Sequence, residues 1–136
     1  MEFIQQNIWT VLLAALSGFM LVMPSFRGRI SGVKQVGPQE TVTLINRQDA
    51  LILDVREQSE FVDGHIAKAR HIPVGALAKR VGELDKHKGR AIVAVCRSGQ
   101  RSGMACGILR KAGFENVHNL AGGMMAWDQA GLPKEK

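Results

Sequence analysis

The sequence predicts an α/β fold: a small, mostly parallel β-sheet with helices on both faces, preceded by one N-terminal transmembrane helix. Strand-like and helix-like segments alternate along residues 34–133. The two clearest strands, residues 50–55 (ALILDV) and 91–95 (AIVAV), are apolar almost throughout. Strands of this kind are typical of parallel sheets that helices cover on both faces. An uncharged apolar run over residues 8–23 predicts the membrane helix.

The remaining elements follow from periodicity and from the proline and glycine residues that end each segment. The predicted strands are residues 34–36, 50–55, 69–72, 91–95 and 116–120, and the predicted helices are residues 38–46, 59–63, 74–84, 101–112 and 124–130. Ligands of parallel sheets bind beyond the carboxyl ends of the strands. Cys96, which follows the strand of residues 91–95, is therefore expected to lie where ligands bind.

The apolar run of residues 8–23 predicts an N-terminal transmembrane anchor over residues 1–24. As a helix it spans about 24 Å at ~1.5 Å per residue, and neighbouring residues can extend it toward a hydrocarbon core of about 30 Å. A core helix is the first alternative, but a core helix normally keeps one polar face. A cleaved signal peptide is the second, but the residues before the run lack Lys and Arg.

The flanks of this run predict its orientation. Arg27, Arg29 and Lys34 follow the run, whereas Glu2 is the charged side chain that precedes it. The positive-inside rule therefore places the C-terminal part in the cytoplasm. Residues 25–33 are predicted to form a juxtamembrane linker, and residues 34–133 the folded domain. The lipid bilayer is accordingly an expected partner.

A cysteine follows the second apolar strand. Cys96 is succeeded by a polar loop, Arg97, Ser98, Gly99, Gln100, Arg101 and Ser102, and then by a predicted helix. A free thiol has a pKa of about 8.5, which a helix N-terminus and nearby arginines lower. Backbone N–H groups in a turn at a helix start also form a cradle for an anion. We therefore expect Cys96 to act as a nucleophile inside an anion-binding loop.

Composition excludes several other functions. The chain holds two cysteines, ten residues apart, which gives neither a disulfide framework nor metal-ligand spacing, so no metal site is expected. The net charge is +6. Its densest positive stretch, residues 79–90, is interrupted by Glu83 and Asp85, which indicates a solvated surface, and no nucleic-acid partner is expected.

Motifs spread along residues 34–133 resemble a rhodanese domain. Residues 53–57 (LDVRE), 60–61 (EF), 64–66 (GHI) and 72–73 (IP) resemble its first half. Residues 92–102 (IVAVCRSGQRS), 112–114 (AGF), 122–123 (GG) and 126–127 (AW), with Val117 and Leu120, resemble its second half. Together with the predicted anchor, the chain is similar to membrane-tethered, single-domain rhodaneses of bacterial type.

The resemblance implies a sulfurtransferase that needs no cofactor. Cys96 would accept a sulfane sulfur from a donor such as thiosulfate, become a persulfide, and pass the sulfur to a nucleophile such as cyanide or a thiol. The backbone amides of Arg97, Ser98, Gly99, Gln100, Arg101 and Ser102 would stabilise the persulfide, and the side chains of Arg97 and Arg101 would attract an anionic donor. Asp54 and Arg56 match positions near the site and are interpreted as a supporting ion pair or loop brace.

The length of the loop separates sulfur transfer from phosphate chemistry. Four residues lie between Cys96 and Arg101, one fewer than a cysteine phosphatase of a related fold requires, so the tighter loop favours a sulfur atom. Two positions depart from the family pattern. Lys68 stands where many members have glycine, and His71 stands where asparagine is usual.

Two classes of function remain open. The first is a sulfurtransferase at the bacterial inner membrane, which would act on a small sulfur-containing anion or a protein persulfide. The second is a membrane-tethered interaction module of rhodanese fold, with little or no catalytic role, which would bind an inner-membrane protein. The predicted anchor motivates the second hypothesis, because thiosulfate chemistry does not require a membrane.

Overall fold

The computed structural model describes residues 5–30 and 32–136. The chain divides into two compact units, with the boundary between residues 31 and 32. The first unit contains helix α1 (Ile8–Ile30). The second unit contains all five strands and the remaining helices of the described chain.

Helix α1 includes the apolar run of the predicted anchor, residues 8–23, and continues seven residues beyond Met23, while residues 1–4 of that anchor lie outside the described residues. Over residues 8–20 its apolar side chains are exposed; Trp9, Leu13 and Met20 each keep about two thirds or more of their surface accessible, at 77%, 66% and 67%. Within the described residues, no helix combines the length and apolarity needed to cross a bilayer. The structure therefore does not support the predicted transmembrane helix.

The second unit is built on a five-stranded sheet in which every pair of neighbours is parallel. Its strands are β1 (Lys34–Val36), β2 (Leu51–Asp54), β3 (Arg70–His71), β4 (Ile92–Val95) and β5 (Val117–Leu120). Their spatial order is β1-β5-β4-β2-β3. The predicted parallel sheet is confirmed, and β4, which leads into Cys96, is the central strand.

Helices connect consecutive strands, and one more helix follows β5. They are α2 (Pro38–Gln48), α3 (Gln58–Asp63), α4 (Val74–Arg80), a 3₁₀ helix (Val81–His87), α5 (Gln100–Lys111) and α6 (Gly123–Gln129). The single helix predicted over residues 74–84 is wrong in its second half, which tightens into the 3₁₀ helix. Gly82 weakens an α-helix at this point, while the tighter winding keeps Leu84 fully buried in the same core as Leu77.

The sheet buries both of its faces, as its apolar strands predict. Leu53 and Ala94 point into one core, which α4 and α5 cover, while Ile52 and Val93 point into the other, which includes residues of α6. Side chains alternate between the faces of a strand. Cys96 continues the alternation of β4 and lies in the core on the α5 side.

The two departures from the family pattern now have structural explanations. Lys68 has φ +63°, a left-handed conformation that glycine adopts without steric cost and other residues do not. The ring of His71 stacks on Phe61 with the ring centroids 4.5 Å apart. Its Nε2 lies 2.7 Å from the carbonyl oxygen of Arg56, so His71 ties β3 to the turn after β2.

We expect Lys68→Gly to stabilise the protein by about 0.5–1 kcal/mol. Glycine removes the steric strain of the left-handed conformation, and part of that gain is offset because glycine loses more backbone entropy on folding. Urea denaturation of the full chain measures the change. Lys79→Gly, at an exposed position of helix α4, is the matched control and should destabilise by about 1 kcal/mol. Equal destabilisation by both substitutions would contradict the role of the positive φ at Lys68.

Candidate functional site

Cys96 lies at the carboxyl end of the central strand, in a loop that ends on the N-terminus of α5. The residue is 1% exposed. Gly99 caps α5 with φ +105°, and this left-handed turn aims its N–H at the sulfur, 3.0 Å from Sγ. The hydroxyl oxygen of Ser102, in the first turn of α5, lies 3.3 Å from Sγ. The partial positive charge of the helix N-terminus adds to these donors.

The surroundings of Cys96 favour the thiolate. Burial raises the pKa of the Cys96 thiol, because it disfavours the charged form. Hydrogen bonds from the hydroxyl of Ser102 and from the backbone N–H groups of Ser102, Gly99 and Ser98 outweigh that effect, so the pKa of Cys96 is lowered overall. Three of the six amides predicted to form the cradle thus act on the sulfur.

Helix α6 packs against the cysteine loop and binds two of its carbonyl groups. The N–H of Met124 donates to the carbonyl oxygen of Cys96 at 2.8 Å, and the N–H of Met125 donates to that of Arg97 at 3.1 Å. In a trans peptide the C=O and the N–H point in opposite directions. Fixing the Arg97 carbonyl against α6 therefore turns the N–H of Ser98, which belongs to the same peptide, toward the sulfur.

Gly123 allows α6 to approach so closely. It has φ +55°, and a Cβ at this position would lie 2.3 Å from the carbonyl oxygen of Cys96 and 2.5 Å from the carbonyl carbon of Arg97. Real Cβ atoms do not approach backbone to such distances. Glycine is therefore required here because the backbones of α6 and of the cysteine loop are in contact.

The two arginines of the loop have different surroundings. The guanidinium of Arg101 makes a bidentate ion pair with Glu60 of α3, with N–O distances of 2.6 and 2.9 Å. The hydrogen bond from Arg101 lowers the pKa of Glu60 to about 2. Arg101 therefore ties the loop to α3, while Arg97 is exposed at the mouth of the site.

Asp54 and Arg56 form a buried brace after β2. The Arg56 guanidinium donates to both carboxylate oxygens of Asp54, with its Nη2 at 2.7 Å from Oδ2, and the same Nη2 donates to the carbonyl oxygen of Gly64 at 2.7 Å. The side chains are 8% and 1% exposed. Arg56 thus links the end of β2 to the backbone at Gly64.

Sequence reasoning missed Asn119, a buried amide on β5. Its Oδ1 accepts a hydrogen bond from the Ser102 hydroxyl at 2.5 Å, and its Nδ2 donates to the carbonyl oxygen of Gly99 at 3.1 Å. Nδ2 also donates to Oε1 of Gln35 on β1 at 3.1 Å. The sequence signal was a polar residue inside a short predicted strand, which periodicity alone does not interpret.

A cavity of about 300 Å³ opens beside the loop. Residues of both charge signs and two methionines line it: Arg56, Glu60, Asp63, Arg97, Met124, Met125 and Asp128. Arg97 directly follows Cys96, and the N–H of Met124 donates to the carbonyl oxygen of Cys96, so the cavity adjoins the cysteine loop. A larger cavity of about 450 Å³ lies between β1 and α2 and does not include the cysteine loop.

The second cysteine is chemically different. Cys106 is fully buried on α5, and its Sγ–H donates to the carbonyl oxygen of His118 at 3.4 Å. Burial raises the pKa of Cys106 to about 12, so it stays a neutral thiol. Among the described residues, no cluster of His, Cys, Asp and Glu is suited to hold a metal ion.

Fold and site together define a class of protein: a parallel α/β domain with an acidic cysteine in an anion-binding loop at the end of its central strand. Comparison with known proteins identifies the family. Residues 37–130 match the rhodanese-like domain, so the chain belongs to the rhodanese family.

Relatives and solved structures agree with this assignment. The uncharacterized protein YibN of Escherichia coli is 35% identical over 126 residues, which cover 92% of this chain and 85% of that protein. A sulfurtransferase of Allochromatium vinosum is 39% identical over 90 residues, which cover 66% of this chain and 82% of that protein. The crystal structure of a rhodanese-related protein from Thermoplasma volcanium superimposes with a TM-score of 0.68 at 26% identity, covering 75% of this chain and 97% of that one.

We expect Gly123→Ala to disrupt the cysteine loop, since the new Cβ must displace the Cys96 carbonyl. Reactivity of Cys96 toward iodoacetamide at pH 7 should fall by at least about tenfold, as hydrogen-bond donors to the sulfur are lost. Gly107→Ala is the matched control, because a Cβ there contacts nothing within 4 Å, and it should keep the wild-type reactivity. Wild-type reactivity in Gly123→Ala would refute the close contact.

Proposed function

We propose that this chain is a sulfurtransferase that moves sulfane sulfur through a persulfide on Cys96. The Cys96 thiolate attacks the outer sulfur of a donor such as thiosulfate, the S–S bond of the donor breaks, and sulfite leaves with the electron pair of that bond. The outer sulfur of the Cys96 persulfide then carries the negative charge. A thiophilic acceptor such as cyanide attacks that sulfur, and the Cys96 thiolate is regenerated.

One observation supports this proposal most directly. The sulfur of Cys96 sits among hydrogen-bond donors from Ser98, Gly99 and Ser102, which lower its pKa and so favour the thiolate. Fixed donors of this kind stabilise negative charge as it moves from the inner to the outer sulfur. The name of the Allochromatium vinosum relative, a sulfurtransferase, points the same way.

The role of the cavity follows from its position. Exposed Arg97 at its rim can attract an anionic sulfur donor. Glu60 and Asp63 on the other wall limit how much negative charge the cavity accepts. We therefore propose small, singly or doubly charged sulfur anions, or a persulfide presented by a protein, as the donors.

We expect Cys96→Ala to abolish the formation of thiocyanate from thiosulfate and cyanide by the purified full chain, because no other thiolate replaces it. Cys106→Ala is the matched control, because Cys106 is buried and neutral, and it should retain activity within about twofold. Absence of thiocyanate from the wild type with thiosulfate and with other sulfane donors would contradict the enzymatic proposal. Loss of activity in Cys106→Ala alone would reassign the nucleophile.

We also propose that the protein works at the bacterial inner membrane with residues 34–133 in the cytoplasm, attached through α1. The exposed apolar side chains of α1 support this location, as do the arginines that follow the apolar run in the sequence. The exposed apolar side chains of α1 also support the second candidate function, a tethered module that binds an inner-membrane protein.

Fractionation of cells tests the location: the full chain should sediment with membranes, and removal of residues 1–30 should release it. A full chain recovered entirely in the supernatant would contradict the proposed location. To separate the two functions, Cys96→Ala is expressed in cells that lack the wild-type gene. Full cellular function of that variant would favour the binding module over the enzyme.

A further inference from the structure

Asn119 is connected to the sulfur of Cys96 through one shared proton. The Ser102 hydroxyl has a single hydrogen and two acceptors in reach, Sγ of Cys96 at 3.3 Å and Oδ1 of Asn119 at 2.5 Å. Ser102 is fully buried and Asn119 is 5% exposed. Since water does not supply a substitute partner there, the state of Cys96 decides which acceptor receives the proton.

The orientation of the Asn119 amide follows from its partners. The carbonyl oxygen of Gly99 can only accept, so the group that faces it at 3.1 Å must be Nδ2. The second hydrogen of Nδ2 reaches Oε1 of Gln35. Oδ1 therefore faces Ser102 and can only accept from its hydroxyl.

We propose that Asn119 is a positioning residue that holds the Ser102 hydroxyl proton while Cys96 is a thiol or a persulfide and yields it to the sulfur when Cys96 is a thiolate. In the thiol, the Cys96 S–H donates to Oγ, and Oγ–H donates to Oδ1. In the thiolate, the hydroxyl rotates and donates to the anionic sulfur, which is the stronger acceptor.

This inference rests on the proposed function for its use in the reaction cycle. Once the persulfide forms, the charge lies on the outer sulfur and Sγ becomes a weak acceptor. The hydroxyl then returns to Asn119, so the donor set of the inner sulfur changes as sulfur is loaded and released. Ser102 needs no proton exchange with solvent in either direction.

Asn119→Asp tests the proposal, because a carboxylate retains the hydroxyl proton that the thiolate needs. The pKa of Cys96, measured as the pH dependence of iodoacetamide alkylation of the full chain, should rise by about one unit. At pH values well below the wild-type midpoint this leaves about tenfold less thiolate, so thiocyanate formation there should fall by a similar factor and recover at higher pH.

Two further variants distinguish an effect through the shared proton from simple charge repulsion between the new carboxylate and the Cys96 thiolate. Asn116→Asp adds the same charge at the other end of β5, about 10 Å away along the strand, and should leave the pKa of Cys96 unchanged. In Ser102→Ala, introducing Asn119→Asp should shift the pKa of Cys96 by less than half as much as it does when Ser102 is present. An equal shift in both backgrounds, or none in the presence of Ser102, overturns the proposal.

Other charged groups near the loop are the same in all these variants, so their effects on the pKa of Cys96 cancel when the variants are compared. They are Asp54 and Arg56 after β2, Glu60 on α3, Arg97 and Arg101 of the loop, and Asp128 on α6. Cys106 on α5 is neutral over the range studied.

A measurement on the wild type keeps the test independent of how well Asn119→Asp folds. The Nδ2 resonances of Asn119 in nitrogen-15 NMR spectra should titrate with the midpoint of Cys96, and this titration should vanish in Ser102→Ala. A resonance that ignores the titration of Cys96 overturns the inference. Alkylation and NMR need no sulfur donor, so the inference can fail while thiocyanate is formed, and it can hold if none is formed.

Discussion

The contact between helix α6 and the cysteine loop is the constraint on which the rest of the site depends. Met124 and Met125 hold two consecutive loop carbonyls, and the opposite ends of these rigid peptides are thereby directed to the sulfur side of the loop. Gly123 makes the approach possible. The Ser98 N–H, one of the donors to Cys96, is thus oriented by packing between two backbones.

Hydrogen bonds, more than full charges, account for the chemistry of Cys96. Of the two loop arginines, Arg101 is engaged by Glu60. Outside the loop, Arg56 is engaged by Asp54. The pKa of Cys96 is lowered by hydrogen bonds against the opposing effect of burial. Backbone N–H donors suit a reaction in which negative charge moves between two adjacent sulfur atoms, because they keep their orientation while the charge moves.

The sequence predicted the parts of this structure that depend on local pattern. Apolar strands, proline and glycine boundaries and the strand–cysteine–helix order place Cys96 at the end of the central strand. Tertiary partners were not predictable in this way. Asn119 meets Ser102 only because β5 lies next to β4, and Glu60 meets Arg101 across forty residues of chain. The change to a 3₁₀ helix at Val81 depends on where Leu84 must be buried.

Mass spectrometry of the full chain after incubation with thiosulfate tests whether Cys96 carries the transferred sulfur. We expect the peptide containing Cys96 to gain the mass of one sulfur atom, cyanide to remove it, and the peptide containing Cys106 to stay unchanged. A Cys96 that never gains sulfur from any sulfane donor, while the protein remains folded and its thiol remains free, would show that Cys96 is not the sulfur carrier.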